Sequence, residues 1–248
     1  MLLDIFSVHR PPNRLSSKGS QYSVTDLTST KFSGTQSPTP GNMSSPYAKT
    51  LHTSRLSLTQ ADLSSEIEIA ILHSLLAGGF APYVSKSRPY THDFIRRYFN
   101  NIIATHEASA PEGIFAAYYI VRLRSPDATP IGVIMNFVRQ TGFPLEFAFI
   151  LADEYQRKGY GTEAVTAVLE ELQRVGVTDI GAVTNKGNEG SQRLLSKSGL
   201  VHKGSVMMRA RGRENGTATE MLGFVMPYMK GFDGEEAFTY VGVPDDKE

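Results

Sequence analysis

Apolar and polar positions change rhythm along this chain, and the changes separate strands from helices. Leu145-Glu146-Phe147-Ala148-Phe149-Ile150-Leu151 is short and almost wholly apolar, as a buried strand should be. A charged turn and the step Gly159-Tyr160-Gly161 follow. Then Ala164, Val165, Val168, Leu169, Leu172 and Val175 recur at a spacing that fills one face of a helix. Upstream, Thr53-Ser54-Arg55-Leu56-Ser57-Leu58 alternates as a strand. Leu63, Ile67, Ala70, Ile71, Leu75 and Ala77 predict a helix that stops at Gly78-Gly79, and Phe94, Ile95, Tyr98, Phe99 and Ile102 mark a second helix beginning near Thr91. Strands are expected over 114–124 and 131–139, ended by Ser125-Pro126-Asp127 and Thr141-Gly142. With 145–151 they make an antiparallel meander. A strand over 179–184 follows the glycine-turn helix, so it should lie parallel to 145–151 through a right-handed crossover. Residues 201–211 and 220–228 read as a closing hairpin around Gly212-Arg213-Glu214-Asn215-Gly216, and no useful periodicity follows Met229. The elements together predict an α/β (α+β) fold: a mixed, mostly antiparallel twisted sheet of about seven strands with flanking helices.

Composition divides the chain unevenly. Residues 1–50 hold ten Ser, six Thr and five Pro, with five basic residues against two Asp. Such a segment cannot bury enough apolar surface to offset its ordering entropy, so a disordered tail is expected, followed by one domain over 51–230 and a C-terminal tail over 231–248. The tail's acid-poor, Ser-rich composition also suits an organelle transit peptide, but Asp4 and the lack of an amphipathic helix favour a plain tail and a cytoplasmic protein. Acidic and basic residues balance at 25 each, which speaks against a nucleic-acid or membrane partner held by bulk charge. No apolar run reaches the ~18 residues of a membrane span. The chain has no cysteine, so disulfides, thiolate metal sites and a cysteine nucleophile are excluded. Six scattered histidines show no metal-ligand spacing, and no metal is expected.

The turn before the glycine-turn helix carries the candidate chemistry. A helix N-terminus presents unpaired N–H groups where the helix dipole is positive, and so attracts anions. Gly159 and Gly161 let a phosphate approach the main chain, and Arg157 and Lys158 add positive charge. The arrangement reads as a pyrophosphate cradle built on the amides of Gln156, Arg157, Lys158, Gly159, Tyr160, Gly161 and Thr162. A nucleoside-triphosphatase phosphate loop needs Lys-Ser or Lys-Thr after its last glycine, and Thr162-Glu163 fails that test. Gly159-Tyr160-Gly161-Thr162-Glu163-Ala164 does spell the dinucleotide fingerprint G-x-G-x-x-A. However, seven residues (Ala152 to Lys158) separate strand from glycine, and Asp179 begins the next strand when it should end it. A third pattern fits on two counts. Gln156-Arg157-Lys158-Gly159-Tyr160-Gly161 resembles the Q/R-x-x-G-x-G/A motif of the GNAT superfamily of N-acetyltransferases. Asn188-Glu189-Gly190-Ser191-Gln192-Arg193-Leu194-Leu195-Ser196-Lys197-Ser198-Gly199-Leu200 resembles that family's second signature. The resemblance runs from about Thr53 to about Tyr228, most closely to the branch acting on protein N-termini and small amines.

The resemblance implies acetyl-CoA as acyl donor, bound where the strands at 145–151 and 179–184 splay apart, and an amine as acceptor, either a protein N-terminus or a small molecule. It further implies that main chain near Leu151 stabilises the oxyanion and that Asn188 contacts the donor's amide arm, although Asn188 has the residue type of a helix cap in any case. Transfer to an amine needs a route for its proton at neutral pH. Glu146, in an otherwise apolar strand and where many relatives carry an acid, is the candidate base; the alternative is an ion pair with Arg139. Glu154 and Glu163 are weaker candidates, better explained as solvated or helix-capping. Many relatives place a tyrosine seven residues after the signature Asn to protonate the leaving thiolate. Here that position is Leu195, with Ser191 the nearest polar substitute and Tyr228 a more distant one. The departure keeps open a catalytically silent acyl-CoA-binding module on the same fold. Tyr83 and Tyr90, in the loop between the first two helices, are candidates for the acceptor wall or for loop packing.

Overall fold

The computed structural model describes residues 45–80, 89–210 and 218–239. Among the described residues, nine strands form one sheet: β1 (Thr50–His52), β2 (Leu56–Gln60), β3 (Ala117–Leu123), β4 (Pro130–Val138), β5 (Leu145–Leu151), β6 (Ile180–Asn185), β7 (Val201–Ala210), β8 (Thr219–Val225) and β9 (Glu235–Thr239). Four α-helices accompany them: α1 (Glu66–Phe80), α2 (His92–Ser109), α3 (Tyr160–Arg174) and α4 (Glu189–Lys197). The spatial order is β1-β2-β3-β4-β5-β6-β8-β7-β9. The expected meander is present, since β3–β4 and β4–β5 pair antiparallel, and β5 pairs parallel with β6 across the α3 crossover.

The sheet exceeds the expected seven strands at both ends. β1 pairs with β2 ahead of the predicted start, and β9 runs parallel to β7 beyond the predicted end. Residues ahead of the expected boundary at 51 thus take part in the described sheet and its packing. Tyr47 is 4% exposed and meets Phe115 edge-on, while the Ala48 N–H donates to Glu171 at 2.5 Å. Composition hid this because a single aromatic anchors a segment otherwise rich in Ser and Pro. Residues 1–44 of the expected tail, the predicted hairpin turn and Tyr83 lie outside the described residues.

Alternation divides the core into two layers. Tyr118 and Ile120 of β3, Val133, Met135 and Phe137 of β4, and Ala148 and Ile150 of β5 face α1 and α2. Ala117, Tyr119 and Val121, Ile134 and Val138, and Leu145 and Phe147 face the side of α3 and α4. The buried face of α2 is the one its spacing predicts, and the Thr91 hydroxyl caps the helix by accepting from Phe94 N–H at 3.2 Å. The α1 face differs from its expected one. Ile69, Leu72 and Leu76 are buried and Ile67 is 74% exposed. The helix is apolar on several sides, so its phase was ambiguous. It also runs through Gly78-Gly79 to Phe80. His106 ties α2 to the sheet: its Nδ1 accepts from Val138 N–H at 2.9 Å and its Nε2–H donates to the Ile114 carbonyl at 3.1 Å.

Candidate active site

Two features converge at the C-terminal end of β5. The first is a gap in the sheet. The β5–β6 ladder comprises only Leu145↔Ile180 and Glu146↔Gly181, and beyond it the strands separate. Leu145 N–H donates to Asp179 on the β6 side and Ala152 N–H to Ile131 on the β4 side. Strand parity therefore turns the main-chain groups of Phe149 and Leu151 toward β6, past the end of the ladder. The gap is lined by Phe147, Ala148 and Phe149 from one side, Val183 and Thr184 from the other, and Asn188, Ser191 and Leu195 from α4.

The second feature is the turn from β5 into α3. A short 3-10 turn (Asp153–Tyr155) leaves the strand, and the chain then places Arg157 (φ 58°) and Gly159 (φ 84°) in left-handed conformation around Lys158. Such alternation points successive amides to one side. A left-handed Arg costs roughly 1 kcal/mol or more, so the turn holds a strained residue beside its glycine. The Glu163 N–H bonds back to Gly159. Among the described residues, none of the N–H groups from Arg157 to Thr162 has a protein acceptor. They are the orphan donors expected of a helix start, and they suit a pyrophosphate.

Individual residues depart from their expected roles in instructive ways. Gln156 does not add a free amide: its N–H bonds Asp153 O at 3.2 Å, and its side-chain amide donates to Leu151 O at 3.0 Å and to the Asp153 carboxylate at 2.9 Å. It braces the turn against the strand. Gly159 is explained by its positive φ. At Gly161 a Cβ would stand 2.6 Å from Leu194 Cδ1 and 3.1 Å from Leu151 Cδ1, so packing also favours glycine there. Asn188, 2% exposed, caps α4 by accepting from Ser191 N–H at 3.0 Å, and with Ser191 it borders the gap. Leu195, 1% exposed, occupies the same wall.

Glu146 is found in the ion pair. Arg139 Nε donates to its Oε2 at 2.8 Å and Nη2 to its Oε1 at 2.6 Å, with the two residues 4% and 3% exposed. Both carboxylate oxygens are thus engaged, one rung from the opening. Tyr228 lies at the other end: its hydroxyl donates to Thr178 O at 2.8 Å, ahead of β6 where the strands are still paired. Tyr90 packs α1 against the start of α2, stacking on His73 at 4.2 Å and donating to the His73 carbonyl.

Sequence reasoning missed the partner of Glu163. Its carboxylate accepts from Thr53 Oγ1 at 2.5 Å, Ser54 Oγ at 3.0 Å, Arg55 N–H at 2.9 Å and Arg55 Nε at 2.7 Å. Desolvation works to raise its pKa, but the hydrogen bonds from Thr53, Arg55 and Ser54 together outweigh it and hold the carboxyl at about 2. The alternating strand at 53–58 carries no sign of this contact, because Arg55 and Glu163 lie 108 residues apart in sequence.

A family model described as "Acetyltransferase (GNAT) domain" matches residues 68–201, more than half of the chain. The chain belongs to the GNAT acetyltransferase family. Members use acetyl-CoA, and the domain is an acetyl-CoA-dependent acetyltransferase. Solved structures share the fold at low identity. RimL, a ribosomal L7/L12 alpha-N-protein acetyltransferase in complex with coenzyme A, is 17% identical over 71% of this chain and 96% of its own, with a TM-score of 0.52. A ribosomal-protein-S5-alanine acetyltransferase from Vibrio fischeri is 17% identical over 71% and 94%, with a TM-score of 0.51. A GNAT-family acetyltransferase from Bacillus anthracis is 16% identical over 71% and 97%, with a TM-score of 0.52. No curated protein matches the chain in sequence. Among the described residues, no helix of the acetyltransferase is long and apolar enough to cross a membrane.

Proposed function

We propose that this acetyltransferase moves the acetyl group from acetyl-CoA to a primary amine, a protein N-terminus or a small molecule, by direct attack in a ternary complex. The observation that carries the reading is the pairing of an unzipped β5–β6 edge with the unpartnered amides from Arg157 to Thr162. The amides, with Arg157 and Lys158, hold the donor's pyrophosphate. The main chain of Phe149 and Leu151 faces the gap and is placed to bind the donor's amide arm and to polarise the thioester carbonyl, a task that backbone N–H groups perform without any special side chain. With no cysteine in the chain, a cysteine-borne acyl-enzyme is not available, and direct attack is the simpler route.

Acceptor deprotonation does not fall to Glu146 in this geometry, because Arg139 occupies both of its oxygens. Glu146 fixes the β4–β5 end beside the opening, and the amine proton leaves through water. Ser191 is the polar group on α4 nearest to the role of thiolate donor, and coenzyme A is a good enough leaving group to depart without one. The ribosomal-protein acetyltransferases that share the fold support a protein N-terminus as acceptor. Leu195 in the wall of the gap supports a second reading, a module that binds acyl-CoA without turnover. Free-thiol release from acetyl-CoA, followed over a panel of N-terminal peptides and small amines, tests both. An acceptor that accelerates thiol release supports transfer. Tight acetyl-CoA binding in calorimetry with no acceleration by any member of the panel supports the silent module.

A further inference from the structure

The turn that presents the free amides is gripped from outside by one side chain far upstream in sequence. Arg55 bonds Glu163 through Nε at 2.7 Å and Nη2 at 2.6 Å. Its Nη1 donates to the Lys158 carbonyl at 3.1 Å, and its guanidinium carbon lies 4.5 Å from the centre of the Tyr160 ring. Nη2 is also 3.2 Å from the place a Cβ would take on Gly159. Arg55 therefore touches Lys158 and Tyr160 and lies over Gly159 between them, three consecutive residues whose N–H groups are without acceptors among the described residues. Glu163 raises an electrostatic question. A carboxylate suits the first turn of a helix, yet it opposes an anionic ligand at the same place. Arg55 neutralises it, and only a planar fork can span Glu163 and the Lys158 carbonyl at once.

We propose that Arg55 is a positioning residue for the pyrophosphate of acetyl-CoA: the Thr53–Arg55 strap, anchored on Glu163, holds the Arg157–Thr162 turn with its amides outward and cancels the carboxylate's charge beside the incoming phosphates. The inference rests on reading that turn as the pyrophosphate site. It differs from a simple latch between β2 and α3, which would serve every ligand alike.

The test compares dissociation constants for acetyl-CoA and for S-acetylpantetheine, which keeps the thioester and amide arm but lacks the pyrophosphate. Wild type should prefer acetyl-CoA. Arg55→Ala should weaken acetyl-CoA by about tenfold or more, the scale of one charge-assisted hydrogen bond, and leave S-acetylpantetheine unchanged, so that the preference collapses. Arg55→Lys should fall between, since it keeps the charge without the fork. Glu163→Gln should also weaken acetyl-CoA, because the anchor is lost even though a negative charge is removed. Arg174→Ala, which breaks the pair with Glu171 at the other end of α3, controls for general loss of helix support and should leave the preference intact. The proposal is overturned if Arg55→Ala retains the wild-type preference, if both ligands weaken together, or if Glu163→Gln binds acetyl-CoA more tightly than wild type. A wild type that shows no preference between the two ligands would instead refute the pyrophosphate turn itself.

Discussion

At the scale of single residues, the cofactor turn separates two reasons for glycine. Gly159 answers to backbone conformation. Gly161 also answers to the helix packed against it: Gly161→Ala pushes a methyl toward Leu194 Cδ1 and Leu151 Cδ1, both ends of flexible side chains that can shift, and should cost about 1 kcal/mol or less by chemical denaturation, below the cost of overpacking against a rigid wall. Leu194→Ala in the same chain should recover part of that loss. The conventional explanation, room for phosphate, predicts no such rescue. Glu163 supplies a pH signature. Its carboxyl sits at about 2 in the fold and near ~4.3 when unfolded. A depressed carboxyl contributes stability that is complete above the unfolded value and disappears as pH falls toward the folded one. Thermal midpoints measured between pH 5 and pH 2 (roughly the window in which the two values lie) should therefore drop less steeply for Glu163→Gln than for wild type. Residue-level legibility followed sequence distance. Arg139 and Glu146 flank one hairpin turn, so their pairing could be weighed as an alternative. Arg55 and Glu163 are 108 residues apart, and no local pattern links them.

At the scale of elements, the buried Arg139–Glu146 pair clamps the ends of β4 and β5 where Glu146 also faces Gly181 of β6. Removing one partner leaves a desolvated charge. Arg139→Met or Glu146→Gln alone should each cost about 3–5 kcal/mol, whereas replacing both with apolar residues should recover much of the loss. Urea titrations of the four proteins would show it, and additive single effects would refute the coupling. If Glu146 were the catalytic base, the double replacement would instead stay folded and lose acceptor-dependent thiol release entirely. Strand and helix identities were legible where the period was unambiguous, as in β5, α2 and α3. They were not legible where tertiary packing chose between equivalent options. α1 could bury either of two apolar stripes, and the sheet selected Ile69, Leu72 and Leu76. β9 shows no two-residue alternation, and it is held by its parallel ladder to β7.

For the whole molecule, the described fold begins with Tyr47 and its contacts. Besides Ala48 N–H on Glu171, the Tyr119 hydroxyl donates to Ala48 O at 3.0 Å, and Gln60 reaches the carbonyls of Tyr47 and Ala48. We expect a chain starting at Ser45 to keep the thermal midpoint of the full protein. A chain starting at Thr50 loses a buried aromatic and these bonds, should be destabilised by about 3–5 kcal/mol, and should melt several degrees lower. Equal melting of the two shortened chains would place the boundary downstream of Tyr47. The brevity of the β5–β6 ladder has a wider effect. The nine described strands make one sheet whose halves, β1–β5 and β6-β8-β7-β9, are joined by two rungs at one end. A donor lying along the open seam would supply the missing stitches, so that loading the enzyme and completing its central sheet would become a single event.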